Sequence, residues 1–163
     1  MRPLPLSCLL IVALTGTAFA QTATPESIAW TAYLAAEADD QSRIPELEAA
    51  LPLLLEGETS EHRYALGSVA HALVRLKARP RLDLLPALFK RYPLETLLLL
   101  QRFGPERNAL ALRLLNTSRG VAWFGLADLL FQARAPGVAA GVIRDLPVAL
   151  FISVSERATR WIR

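Results

Sequence analysis

The residues that most readily do chemistry are few and badly spaced for it. The chain has two histidines, His62 and His71. Nine positions apart, they turn through about 900° at ~100° per residue. That puts them on opposite faces of one straight helix, where they cannot share a metal ion. Glu58 precedes His62 by four residues but falls in a turn, so no ligand set is completed. The single cysteine, Cys8, lies near the N-terminus and precedes most of an apolar stretch. A lipidated cysteine would follow such a stretch, so lipidation is rejected.

Nucleophile and phosphate motifs are equally sparse. Gly67-Ser68 falls inside a helical pattern, and a nucleophile elbow needs a strand, a turn and a helix. Small residues at a packing contact explain that pair. No HExxH, P-loop or dinucleotide fingerprint occurs. Carboxylates pair as Asp39 with Asp40, Glu46 with Glu48, and Glu56 with Glu58. A glycosidase holds two such groups ~5 to 9.5 Å apart across a cleft. Solvated turns and helix starts account for these pairs more simply. The expectation is no catalytic residue, no metal site and no cofactor.

Arg75, Lys77, Arg79 and Arg81 form a local basic run, with Lys90 and Arg91 one helix later. A nucleic-acid footprint requires a denser stripe, and cations at a helix C-terminus are favoured in any case. No nucleic-acid partner is expected. Asn116-Thr117-Ser118 fits a glycosylation sequon. A turn that ends one helix and caps the next explains it equally well.

The elements that position these residues read as helices. Thr24 caps a first one, with Pro25 at N1, Glu26 in the first turn, and Ile28, Thr31, Ala32 and Ala35 along one face. Trp30 and Tyr33 share another face, suited to packing on the next element. Asp39 to Ser42 is a polar break. Pro45 opens a second helix with Leu47, Ala50, Leu51 and Leu54 in one stripe, stopped by Gly57. Thr59 or Ser60 caps a third, with Leu66, Val69, Ala70, Leu73 and either Leu76 or Val74 inward, ended by Pro80. Further helices are expected over 82–92, from Pro93 to Gly104, from Pro105 to Asn116, and from a Thr117 or Ser118 cap to about Arg134, before Pro136-Gly137 breaks the run.

Trp123, Phe124 and Phe131 crowd the last of these helices, which is apolar on nearly every face. Burial between hairpins is expected there, the alternative being an exposed partner-binding face. Val148, Leu150, Ile152 and Val154 then alternate with Ala149, Phe151, Ser153 and Ser155. That two-residue period allows a single C-terminal strand.

Composition agrees with a packed helical domain. The 163 residues are 53% hydrophobic and 20% charged, with 8 glycines and 11 prolines, so neither wholesale disorder nor a low-complexity chain fits. One cysteine excludes a disulfide framework. The N-terminal MRPLPLSCLLIVALTGTAFA has the layout of an export signal. Arg2 supplies the positive region, Leu9 to Leu14 the apolar core, and Ala18-Phe19-Ala20 the small-x-small cleavage pattern. The stretch is too short and broken for a spanning helix, which needs ~20 mainly apolar residues. Cleavage before Gln21 removes Arg2 and takes the formal charge from +3 to +2.

Ala50 to Leu76 resembles a HEAT repeat. Leu51-Pro52 recurs as Leu85-Pro86 after 34 residues, and Leu54 recurs as Leu88. Pro52, Glu56, Glu58, Arg63, Ala65, Leu66 and Gly67 occupy the family's characteristic places. The second unit matches in part, because Pro93 follows Tyr92 with almost no acidic turn. Asn108 to Leu130 has a helix pair but no Leu-Pro.

The resemblance implies antiparallel helical hairpins stacked as a short α-solenoid. The expected organisation is a signal peptide over 1–20, an N-terminal helix and linker over 21–43, a HEAT-like domain over 44–145 and a strand-like tail over 146–163. The expected function is a periplasmic or secreted scaffold for a protein partner, without catalysis and without stable membrane insertion after cleavage. Two alternatives stand beside it: a structural subunit or fragment completed by another chain, and a carboxylate-based hydrolase acting on sugars.

Overall fold

A computed structural model describes residues 23–133. The expected signal peptide, the Pro136-Gly137 break and the alternating segment at 148–155 lie outside these residues. The described chain is all-α, with seven α-helices, one short 3-10 turn and no strand. Contacts divide it into two units at Gly104/Pro105.

In the first unit, α1 spans Pro25–Ala38. The Thr24 side chain accepts the Ser27 N–H at 3.2 Å, which satisfies one of the unpaired amides of the first turn. Ile28, Ala29, Ala32, Ala35 and Ala36 are buried. Asp39, in the left-handed region at φ 51°, ends the helix, and a 3-10 turn follows at Gln41–Arg43. Next, α2 spans Ile44–Glu56 and buries the expected stripe of Leu47, Ala50, Leu51 and Leu54. Pro52 lies inside α2. It has no N–H to give the Glu48 carbonyl, and its ring is exposed.

Ser60–Arg75 forms α3, capped by Thr59. It is the hub of the unit, because α1, α2 and a later helix all pack on it. Ala65, Leu66, Val69, Ala70, Ala72, Leu73 and Leu76 are buried on it. Leu76 therefore takes the inward position that Val74 could also have filled. α1 packs on α3 more extensively than α2 does. The small alanines of α1 allow this, since interaxial distance follows the size of the side chains at the contact.

The end of α3 is made by backbone rather than by Pro80. Lys77 turns into the left-handed region at φ 57°. The Ala78 N–H then reaches the Leu73 carbonyl at 2.9 Å, and the Lys77 N–H reaches Val74 at 3.1 Å.

The helix expected over 82–92 forms only as α4, Leu85–Arg91, after a turn at 82–84. The Leu85 N–H is still taken by the Leu82 carbonyl at 3.3 Å, as in a tighter turn. Tyr92 alone separates α4 from α5, Pro93–Leu100. α5 stops four residues before Gly104, as the chain tightens into turns at 101–103.

The second unit holds α6, Arg107–Leu115, and α7, Gly120–Gln132, which pack on each other. α6 begins two residues after Pro105. Neither Thr117 nor Ser118 caps α7. Both hydroxyls donate back to the Leu114 carbonyl, at 3.1 and 2.5 Å, and Arg119 stands uncapped at the helix start. The carbonyls left open at the end of α6 compete successfully for these hydroxyls. Trp123, Leu126, Ala127, Leu129 and Leu130 are buried, whereas Val121 and Phe124 are exposed. α7 is therefore inward along one stripe and not all round.

Candidate functional site

Among the described residues, a groove between α1 and α3 is well suited to holding a ligand. Its walls are the helix faces left over once the core stripes are buried. On α1, Glu26, Trp30, Tyr33 and Glu37 recur at spacings of four, three and four, which places them on one face. On α3, Tyr64, Gly67, Ser68 and His71 stand at i, i+3, i+4 and i+7 and so share one face. These eight residues, with Ala29, Ala32, Ala36 and Tyr92, line a cavity of about 820 Å³. The alanines and Gly67 contribute no bulk, so the space between the flanking aromatics stays open.

Three large rings in this groove face solvent. Trp30 is 62% exposed, Tyr33 52% and Tyr64 73%. Single exposed apolar side chains are ordinary, whereas these three fall in one groove. Trp30 and Tyr33 do not pack on the next element, as their shared face suggested. They stack on each other, with centroids 5.5 Å apart and planes 24° from parallel. Such a stack holds both rings in place without burying them.

Tyr92 closes one side. A Cβ on residue 67 would stand 2.9 Å from the Tyr92 hydroxyl oxygen and 3.0 Å from the ring, so any larger residue there would push the ring back. The Tyr92 hydroxyl donates to the Arg63 carbonyl. Gly67-Ser68 is thus a packing contact within α3, and the Ser68 hydroxyl donates to the Tyr64 carbonyl at 3.2 Å.

The charged groups lining the groove are carboxylates. Glu37 has Arg75 at 3.7 Å, an exposed pair that neutralises that end while adding little stability. Glu26, at the other end, is exposed and has no ion pair among the described residues. Glu26 and Tyr64 also line a smaller adjoining cavity of about 310 Å³ together with Ser60 and Glu61. The Glu61 carboxyl is held below the usual range, chiefly by the Thr59 hydroxyl, then by its own backbone N–H and the Ser60 hydroxyl. It is ionised at neutral pH.

The residues singled out from the sequence are mostly elsewhere. His71 is exposed in the groove, whereas His62 lies at the start of α3 with Nδ1 2.8 Å from the Thr59 hydroxyl oxygen and its ring over Gly57. Among the described residues no three His, Cys, Asp or Glu side chains cluster to hold a metal ion. Glu46 takes Arg43 Nη1 at 2.6 Å, and Asp40 accepts the Ser42 hydroxyl at 2.5 Å. Glu56 and Glu58 are exposed around the end of α2. None of these acids lines the groove.

The basic run is divided among separate partners. Arg75 faces Glu37, and Arg81 grips Asp83 at 2.5 Å. Arg79 donates to the Arg102 carbonyl at 2.5 Å and lies 5.9 Å from the Phe103 ring centroid. Arg91 donates to the Gly57 carbonyl at 2.9 Å.

The groove itself was missed in the sequence, although its signal is there. Glu26, Trp30, Tyr33 and Glu37 form a second periodic stripe on α1, beside the alanines. No helix among the described residues is long and apolar enough to cross a membrane. No family model, curated protein or solved structure matches the chain.

Proposed function

We propose that this chain is an exported, non-enzymatic helical module that binds a segment of a protein partner in the groove between α1 and α3. The observation that carries this reading is the exposure of Trp30, Tyr33 and Tyr64 along one groove. Tryptophan and tyrosine dominate the energetics of protein interfaces, because each supplies a large contact area at little entropic cost. In this reading Ala50–Leu76 is a HEAT-like unit, and α1 supplies the second wall of its binding face. Export rests on the layout of residues 1–20. N-terminal sequencing of chain recovered outside the cytoplasm tests it, with Gln21 as the expected first residue.

Site-specific photo-crosslinking tests the binding role. A photoreactive amino acid replaces Tyr64 in one variant and Lys90, an exposed residue outside the groove, in another. Tyr64 is expected to cross-link a discrete protein in the producing cell, and Lys90 is not. Equal yields at both positions, or no adduct at Tyr64, defeats the reading.

A further inference from the structure

We infer that the partner segment is basic, and that the groove seats an arginine or lysine side chain against the exposed faces of Trp30 and Tyr33 with Glu26 and Glu61 as counter-charges. The inference rests on the interaction reading above and specifies its chemistry. Charge complementarity carries it. Among the described residues that line the groove or its adjoining cavity, the charged side chains are the carboxylates Glu26, Glu37 and Glu61, with His71 as the one imidazole. Arg75 already answers Glu37, so the uncompensated charge lies at the Glu26 end.

Indole and phenol faces attract cations through their ring quadrupole, and tryptophan does so best. A cation over this stack gains the ring faces and the carboxylates together. An acidic side chain in the same place would meet repulsion from all of them.

The length of the groove selects a polypeptide over a free small cation. From Glu26 to Glu37 α1 rises through eleven residues, or about 16 Å at 1.5 Å per residue. An extended peptide covers that distance with about five residues at ~3.3 Å each. One guanidinium or ammonium group covers a fraction of it.

The test uses the whole mature chain and a fluorescent seven-residue probe, Gly-Ser-Arg-Gly-Arg-Ser-Gly, followed by anisotropy. Matched probes carry citrulline or glutamate in place of arginine, citrulline having nearly the same shape without the charge. The arginine probe is expected to saturate, and citrulline to weaken binding about tenfold. Trp30→Ala should cost a similar factor with helical circular dichroism unchanged, since the ring is mostly in solvent. Glu26→Gln should cost about threefold, while Glu56→Gln, exposed and outside the groove, should leave affinity unaltered.

Equal binding of the arginine and citrulline probes overturns the inference, as does failure of the arginine probe to bind. Equal losses in Glu26→Gln and Glu56→Gln overturn it too, by reducing the effect to diffuse attraction. N-acetyl-arginine amide bound as tightly as the peptide would assign the groove to a small cation instead. Cross-linking at Tyr64 that persists in any of these cases leaves the interaction reading standing. Loss of that cross-linking removes the broader reading independently.

Discussion

Tyr92 lies across α3 at Gly67, so close that one added carbon on residue 67 would stand 2.9 Å from the phenol oxygen. The same hydroxyl donates to the Arg63 carbonyl. One residue joining α4 to α5 thereby fastens both helices to the hub of the first unit. Glycine in a helix interior costs about 1 kcal/mol relative to alanine, and the Tyr92 contact is what that cost permits. Gly67→Ala is therefore expected to bring no gain in the wild-type chain. In a Tyr92→Ala background it should stabilise by about 1 kcal/mol. Urea unfolding of the four chains in this cycle measures the difference, and equal effects in both backgrounds would contradict the account.

Gly57 and His62 form a second steric pair. A Cβ on residue 57 would fall 2.0 Å from His62 Cδ2. The backbone there is ordinary extended chain, φ −71° and ψ 138°, so alanine meets no conformational strain. Gly57→Ala should then act by displacing His62, ring and Cβ together, from its place against Thr59, at a cost of about 1 to 3 kcal/mol. Adding His62→Ala removes the ring contacts but keeps the Cβ, which would stand 2.7 Å away, so it should recover only part of that loss. A double variant as unstable as Gly57→Ala alone would show that the cost lies in the backbone.

Leu73 and Leu98 separate core from surface among chemically identical residues. Leu73 is fully buried on α3, while Leu98 on α5 is 45% exposed. Leu73→Ala is expected to cost about 2 to 5 kcal/mol through lost burial and a cavity. Leu98→Ala should cost less than about 1 kcal/mol. Thermal or urea unfolding resolves the two, and similar losses would mean that α5 packs differently in solution.

Glu48 gives a pH test. Burial on α2 raises its carboxyl above the ordinary value of 4.5. The folded state thus holds the proton more tightly than the unfolded state does. Stability contributed by the protonated form is present below 4.5 and is lost as pH rises through the raised value. Glu48→Gln cannot ionise and should be the more stable chain at pH 7. The side chain is half-exposed and screened, so the gap is roughly a few tenths of a kcal/mol. It should close below pH 4.5. A gap that widens on acidification would refute the assignment.

Much of the fold was legible from periodicity. The inward stripe of α2, the Thr24 and Thr59 caps and the turn after Gly57 follow from local rules, since each depends on residues within one or two turns. Boundaries set by competition were less legible. Pro80 marked the end of α3, but Lys77 in the left-handed region ends it. Thr117 and Ser118 looked like caps for α7, yet their hydroxyls answer the Leu114 carbonyl behind them. Both outcomes depend on which open backbone group a residue reaches, and spacing alone does not order such competitors.

Trp30 and Tyr33 draw the same line for the site. Their shared face could be read from their spacing, but whether a neighbour would cover it could not. The sequence by itself determined that the described chain folds as short amphipathic helices, because helical period, caps and breakers act over a few residues. Only the tertiary structure decided that the alanines of α1 meet α3. That packing leaves Trp30, Tyr33, Tyr64 and two carboxylates, Glu26 and Glu37, along an open groove. The reason is physical: burial is settled by which faces find a partner, and α3 lies more than twenty residues further along the chain than the aromatic stripe of α1.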